Sequence, residues 1–300
     1  MEHDVMKAQS AMEYLMTYGW AILIIAIVLA ALFQLGVFSS STFAPKAPPG
    51  SCQVSRPNGP ASTQFINTEG VCNGELPQYV AQFNGASSYI STQLKYPTGT
   101  SSAPFTLSVW IDEGSVGCAD SNTYCGIFDA DDGNLGWGLM GGEGKVDFWI
   151  AASVAGTVQD MVFGVPENKW VNVVVTYQQQ GSNWISNGYV GGQLIDSAVP
   201  RSPIDLPMPF GFYIGQARQT NGMIFNGGIS NVQFYNTALS ANEIKALYLE
   251  GIGGAPIKIQ NLVGWWPLNG NANDYSGNKN NGATTAVTYI SNWEGGYTPP

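Results

Sequence analysis

Three hundred residues, 32.0 kDa, leave room for one large domain or two ordinary ones with a sizeable buried core, which excludes disorder as the main state. Eleven Lys plus Arg stand against 21 Asp plus Glu, a net charge of −10, so phosphate backbones are repelled and nucleic acid is excluded as a partner. Only 11% of residues are charged, against a usual value of roughly 25%, a profile that suits a turn-rich all-β protein at an outer surface.

The first element is apolar. No charged side chain occurs from Tyr14 to Pro45, and Tyr14 to Phe38 is a predominantly apolar run of 25 residues. As a helix it would reach roughly 37 Å, more than the roughly 30 Å of a hydrocarbon core, so the run predicts a transmembrane helix. A secretory signal has a shorter apolar stretch with its cleavage site behind it. Here the informative residues come first, as Lys7-Ala8-Gln9-Ser10-Ala11-Met12-Glu13-Tyr14-Leu15. That stretch resembles the class III signal of type IV pilins in its archaeal form, Gln-x-Ser-x-Glu ahead of a hydrophobic helix. The resemblance implies a prepilin peptidase that cuts between Ala8 and Gln9, a leader of residues 1–8, a pilin-type helix over 9–38 that packs against other subunits, and Glu13 as the fifth residue of the mature chain.

Glu13 has a physical reading of its own. A carboxylate inside the membrane costs roughly 2.5–3.5 kcal/mol on insertion scales, so it needs a partner, which the new amino group of a neighbouring chain would supply. The alternative is a place among the headgroups at the helix start, favoured by the helix dipole. An N-terminal Gln9 can also cyclise, which would delete the charge that Glu13 is to meet. Loss of the leader removes His3, the only histidine, and with it Ser-His-Asp catalysis and His-ligated metal sites. Lysines flank the helix on both sides, at Lys7 and Lys46, so charge gives no vote on orientation.

Residues 39–51 are rich in Ser and Pro, lack helical periodicity and read as a semi-extended linker to a head of residues 52–300. Four cysteines, Cys52, Cys72, Cys118 and Cys125, allow three pairings. The local one, Cys52 with Cys72 and Cys118 with Cys125, closes the shortest loops, and no pair has Cys-x-x-Cys spacing. An extracytoplasmic head predicts oxidised cysteines.

Strand signals follow at Phe105–Ile111, Gly136–Met140, Val146–Ile150 and Trp170–Tyr177, rich in β-branched and aromatic residues. Gly141–Gly144 and Gly191–Gly192 sit between such runs as hairpin turns. Ser240-Ala-Asn-Glu243 is a capping box that opens a helix with Ile244, Leu247 and Tyr248 on one face. The body predicted from these signals is almost all β, behind one long N-terminal helix.

Five segments carry a second resemblance. Phe83–Ile90, Phe105–Trp110, Trp170–Tyr177, Phe225–Ser240 and Leu262–Tyr289 are similar to blocks of the LamG-like, concanavalin A-like jelly-roll family, which implies an all-β jelly-roll β-sandwich. In that family the block resembling Leu262–Asp274 opens the domain, whereas here it follows the terminal Ala-Leu-Ser block. Too few residues remain after Asn261 for a second sandwich, so residues 262–290 are expected to return and close the first one, with Trp265 or Trp266 facing its core.

Chemistry on the head is sparse. The Glu-x-Asp-x-x-Glu triad of glucanases sharing this fold does not occur, and no enzyme activity is expected. Asp129, Asp131 and Asp132 precede Gly133 and read as a solvated turn or half of a calcium loop. Asp274 opens Asp-Tyr-Ser-Gly-Asn, a loop resembling one that in some family members helps to hold Ca2+, which makes Asp274 the candidate metal ligand. Trp265, Trp266 and Trp293 are candidates for a sugar-stacking platform or for core. The sequence therefore points to a pilin-like filament subunit or adhesin, stored in the membrane and displayed at the cell surface, with a head that binds glycan or a surface protein. The alternative is a membrane-anchored lectin or carbohydrate-active protein that forms no filament.

Overall fold

The computed structural model describes residues 18–30, 53–55, 67–69, 76–96, 102–114, 124–131, 136–152, 157–201, 203–204, 211–217 and 223–300. Two units divide the chain, Met1–Pro48 and Pro49–Pro300. In the first, residues 18–30 are helical; the rest of the expected 9–38 helix lies outside the described residues. Among those residues no helix is long and apolar enough to cross a membrane. The side chains of 18–30 nevertheless stand open on every side, with Trp20 and Ile22 each 66% exposed.

The second unit is a sandwich of antiparallel strands. A short ribbon pairs β1 (Gln53–Ser55) with β2 (Asn67–Glu69). The body then runs through β3 (Val80–Asn84), β4 (Tyr89–Ser91), β5 (Phe105–Glu113), β6 (Cys125–Asp131), β7 (Gly136–Gly142), β8 (Lys145–Ala152) and β9 (Thr157–Gly164). It continues with β10 (Trp170–Gln180), β11 (Asn183–Val190), β12 (Gln193–Arg201), β13 (Tyr213–Ile214) and β14 (Asn226–Tyr235). After a helix at Ala241–Leu249 come β15 (Leu262–Trp266), β16 (Ala283–Thr285) and β17 (Thr288–Ile290). Sheet I has the order β12-β11-β10-β5-β14-β3-β17, with β15 also on β14; sheet II is β16-β4-β13-β6-β7-β8-β9.

Alternation along the strands sends one face of each sheet inward. Phe105, Leu107, Val109 and Ile111 of β5 and Val171, Val173, Val175 and Tyr177 of β10 meet Phe128, Trp137, Leu139 and Phe148 of sheet II in one core. Aromatic rings fill its centre: Phe105 stacks on Trp137 at 4.3 Å and on Phe234 at 5.5 Å between centroids. At one side Arg201 of β12 clasps the two sheets. Its guanidinium donates to the Gln159 and Phe148 carbonyls and to Ser186 Oγ, and lies over the Phe148 ring.

The outer face of sheet I is also buried, which is why β5 and β10 read as nearly continuous apolar runs. Ser240 caps the helix Ala241–Leu249 with the reciprocal Glu243 contact of a capping box, and Ile244 and Leu247 settle on Val174, Tyr189 and Tyr235. Beside them the chain's end packs Trp293 with Val80, Trp110, Trp170 and Ile252. The Trp170 Nε1–H donates to the Trp293 carbonyl and the Trp293 Nε1–H to the Pro77 carbonyl, so both indoles bury their polar ends satisfied.

The last forty residues complete both sheets. One edge of β14 pairs with β5; the other serves β3 over Asn226–Ile229 and β15 over Val232–Tyr235. The change of partner falls at a bulge where Asn231 has φ 48, a left-handed conformation that Asn tolerates better than most residues. Its N–H donates to the Pro267 carbonyl. Trp266 then enters the core fully buried, beside Leu268, while β17 pairs with β3 and β16 with β4. Replacing Trp266 by Ala removes a buried indole from the centre of the sandwich and is expected to cost roughly 3–5 kcal/mol, read as a lower midpoint in chemical denaturation.

Candidate functional site

With much of the outer face of sheet I covered by its own chain, the outer face of sheet II is where polar and aromatic side chains gather. Register defines it. Ser91, Tyr213, Asp129, Gly138, Trp149 and Asp160 stand opposite one another across β4, β13, β6, β7, β8 and β9. Met140, Asp147 and Val162 form the neighbouring row. Core residues Phe128, Leu139 and Phe148 alternate with these, which places the rows on the opposite face.

Gly138 organises the centre. A Cβ there would lie 2.5 Å from Asp129 Oδ1 and 2.6 Å from Trp149 Nε1, so the carboxylate and the indole converge over the space left by the missing side chain. Asp129 and Trp149 are buried, as is Asp147, while Asp160 is exposed and Tyr89, Tyr213 and Met140 are half-buried. Tyr89 and Tyr213 pair at 5.9 Å between ring centroids and form an aromatic flank beside the acidic centre.

The electrostatics of this face are one-sided. Burial and then the Asp160 carboxylate push Asp147 up to about 6, against opposing pulls from the Met161 N–H and the more distant Arg201. The Tyr124 hydroxyl is raised by burial and by Asp147, Asp160 and Glu143. Such a surface favours hydroxyl-rich or cationic groups and repels anions.

The residues singled out in the sequence fall elsewhere or take other roles. Ala8, Gln9, Glu13, Cys52, Cys72, Cys118 and Asp132 lie outside the described residues. Cys125 is disulfide-bonded. Asp274 turns inward on its own loop: its Oδ1 accepts the N–H groups of Trp265 and Ser276 at 3.0 and 2.8 Å, and its Oδ2 accepts that of Asn280 at 2.8 Å. No three His, Cys, Asp or Glu residues among those described are grouped to hold a metal ion. With both oxygens accepting backbone N–H groups, Asp274 braces the turn that follows β15 rather than presenting a free carboxylate to a cation.

The three tryptophans form no platform. Trp266 is core, its Nε1–H held by the Asn280 carbonyl; Trp293 is packed on Trp170; Trp265 donates to Asn231 Oδ1 at 2.8 Å. Of the expected residues, Asp129 reaches the face on sheet II. Gly138, Asp147 and Trp149 are legible only as strand composition, and Asp160 lies on β9, outside the strand runs read from the sequence. The available signal was the alternation Gly136-Trp137-Gly138-Leu139, which puts small residues on one face and large ones on the other.

The comparisons agree with this architecture. The profile of the concanavalin A-like lectin/glucanases superfamily matches residues 84–245. A candidate carbohydrate-binding protein from Bacteroides ovatus superposes with a TM-score of 0.54 at 21% identity, over 72% of this chain and 60% of that one. Domain 4 of an extracellular arabinanase from Geobacillus stearothermophilus, in complex with arabinotriose, gives 0.44 at 17% identity over 66% and 87%. A heptameric SAP-like pentraxin from Limulus polyphemus gives 0.46 at 12% identity over 72% and 97%. No curated protein sequence matches the chain. The family match covers more than half of the residues and coincides with both sheets of the sandwich, and on that ground the chain belongs to the concanavalin A-like lectin/glucanases superfamily.

Proposed function

We propose that the chain is a pilin-like surface subunit with a glycan-binding, non-enzymatic head. In this reading a prepilin peptidase removes residues 1–8, the helix 9–38 is held in the membrane and then packed against other subunits, and residues 39–51 carry the 52–300 head outside the cell. The observation that carries it is the order of the chain: Gln9 and Glu13 stand directly before an apolar helix whose described part, 18–30, leaves Trp20, Ile22, Ile24 and Ile27 more than half exposed. Each exposed Å2 of apolar surface costs about 25 cal/mol in water, so that helix needs lipid or other apolar helices around it.

Glycan is the ligand class named for the Bacteroides ovatus protein of the same fold. For this chain the support lies in the face of sheet II, where tyrosines and an indole stand beside carboxylates. Aromatic faces suit the apolar side of a sugar ring and carboxylates suit its hydroxyls. Carboxylates predominate on that face, where strand alternation also places the exposed Lys145, and this balance favours neutral or amino sugars over sialylated or uronic ones. The second reading, a membrane-anchored lectin without filaments, is favoured by the chemistry of Gln9, whose cyclisation would leave Glu13 without an amino partner.

Three experiments test this. The intact mass of membrane-extracted protein should correspond to a chain starting at Gln9 or its cyclised form, and a start beyond Phe38 would overturn the pilin reading; Glu13→Ala should abolish filaments seen by electron microscopy while membrane insertion persists, whereas unchanged filaments point away from the assembly role. On a glycan array the protein should retain neutral or amino sugars, and Tyr213→Ala and Asp160→Ala should each weaken that retention about tenfold, as expected for the loss of roughly 1.4 kcal/mol. Retention confined to acidic glycans, or unaffected by both variants, would remove the site from sheet II.

A further inference from the structure

At one end of the sandwich the carboxylates of Glu143 and Glu167 come within electrostatic reach of Glu113, three groups from three segments. Glu113 ends β5, and the alternation that sends Val109 and Ile111 into the core sends Glu113 between the sheets as well. It is 3% exposed, and neither carboxylate oxygen makes a hydrogen bond of normal geometry. Glu143 stands in the turn between β7 and β8, and Glu167 in the turn before β10. Backbone hydrogen bonds stitch these segments into one unit. The Asn168 N–H donates to the Glu113 carbonyl at 2.8 Å, the Val165 N–H to that of Gly144 at 2.9 Å, and the Gly114 N–H to that of Asn226 at 3.1 Å.

The charges around Glu113 have one sign. Glu167 and Glu143 repel its ionised form, and the Gly144 N–H is the one group that favours it. Its chain neighbour Asp112 points to the opposite face; β14 brings only Gly227 opposite it. Lys145 and Lys169 follow the two turns and are exposed. Burial, with the two glutamates behind it, pushes the carboxyl up to about 7. An ionised carboxylate without a hydrogen bond or a cation is among the most costly groups to bury.

We propose that Glu113 is a proton-operated latch: with a proton on its carboxyl the end of β5 seats against the 143–144 and 165–168 turns, and loss of that proton opens this end of the sandwich. The sign follows from linkage. The closed form holds the proton more tightly than the open one, so closure is complete below the ordinary carboxyl range and weakens as pH rises towards 7. One coupled proton makes the opening constant grow about tenfold per pH unit across that window, and it levels off above pH 7, where both forms are ionised.

Hydrogen exchange on the full chain in detergent micelles reads this directly. Between pH 5 and 8, after correction for intrinsic exchange, peptides covering 143–146 and 163–169 should lose protection about tenfold per pH unit and then reach a plateau near pH 7. Glu113→Gln should hold protection constant throughout. Glu167→Gln removes a repelling charge, so its plateau should begin at lower pH. The latch is overturned if the wild type and Glu113→Gln share one profile, or if the Glu167→Gln plateau stays in place or moves to higher pH. Should Glu113→Gln fail to fold, the direction of the Glu167→Gln shift decides alone.

Discussion

The stack of Phe105 on Trp137 ties the two sheets together, and the faces of the molecule follow from it. Phe105 sits on the central strand of sheet I and also lies 5.3 Å from Tyr177 and 5.5 Å from Phe234; Trp137 brings Phe128 of sheet II and Phe212, just before β13, into the same cluster. A strand has a period of two residues, so a slip of one would turn each side chain to the other face. With Trp137 held inward, Gly138 must face outward, and register carries that parity to Asp129, Trp149 and Asp160. The same parity, counted along β5 from Phe105, sends Glu113 inward. The candidate surface and the buried acidic end are thus two consequences of one aromatic contact.

Sheet I reaches its full width by an unusual use of β14. The left-handed Asn231 bends that strand so that β3 leaves and β15 joins along one edge. The Asn231 side chain then serves the junction: its Oδ1 accepts the Trp265 indole N–H and the Gln233 amide, and its Nδ2 donates to the Gly254 carbonyl. The family match ends at residue 245, yet the strands at 262–266 and 288–290 supply Trp266 to the core and an outer neighbour to β3. A sandwich without them would expose two strand edges and a hole the size of an indole.

The strands, the capping box and the closing role of the C-terminal segment could be read from the sequence because each rests on local chemistry or on chain length. Ser240 and Glu243 satisfy one another within a single turn, and the β-branched run at Trp170–Tyr177 suits only a strand. The roles of Asp274 and Glu113 could not be read that way. A carboxylate in an Asp-x-Ser-Gly loop looks the same in one dimension whether it faces a cation or three backbone N–H groups, and the choice is made by where Trp265 and Asn280 bring their amides. Glu113 falls beyond the Phe105–Ile111 run, and the turns that cover it, at 143–144 and 165–168, lie far from it along the chain. Tryptophan is ambiguous for a related reason: adjacent Trp265 and Trp266 must take opposite faces, but the pattern alone does not say which one meets the core.

The surplus of acid over base gives these details a common direction. Asp112, Glu113 and Asp147 are each held above their ordinary values, to about 6, 7 and 6, with burial as the first cause in every case. Of the cations, Lys258 is committed to Glu243 near the helix start at 2.8 Å, and Arg201 is committed to carbonyls and Ser186 between the sheet edges. Neither relieves the buried carboxylates fully. A carboxyl raised on folding contributes stability that is whole below its unfolded value and fades as pH climbs through its folded one, the reverse of a salt-bridged acid. Those three carboxyls therefore favour the folded head most at acidic pH, and low charge density leaves packing of rings, rather than pairing of ions, as the main force that holds it together.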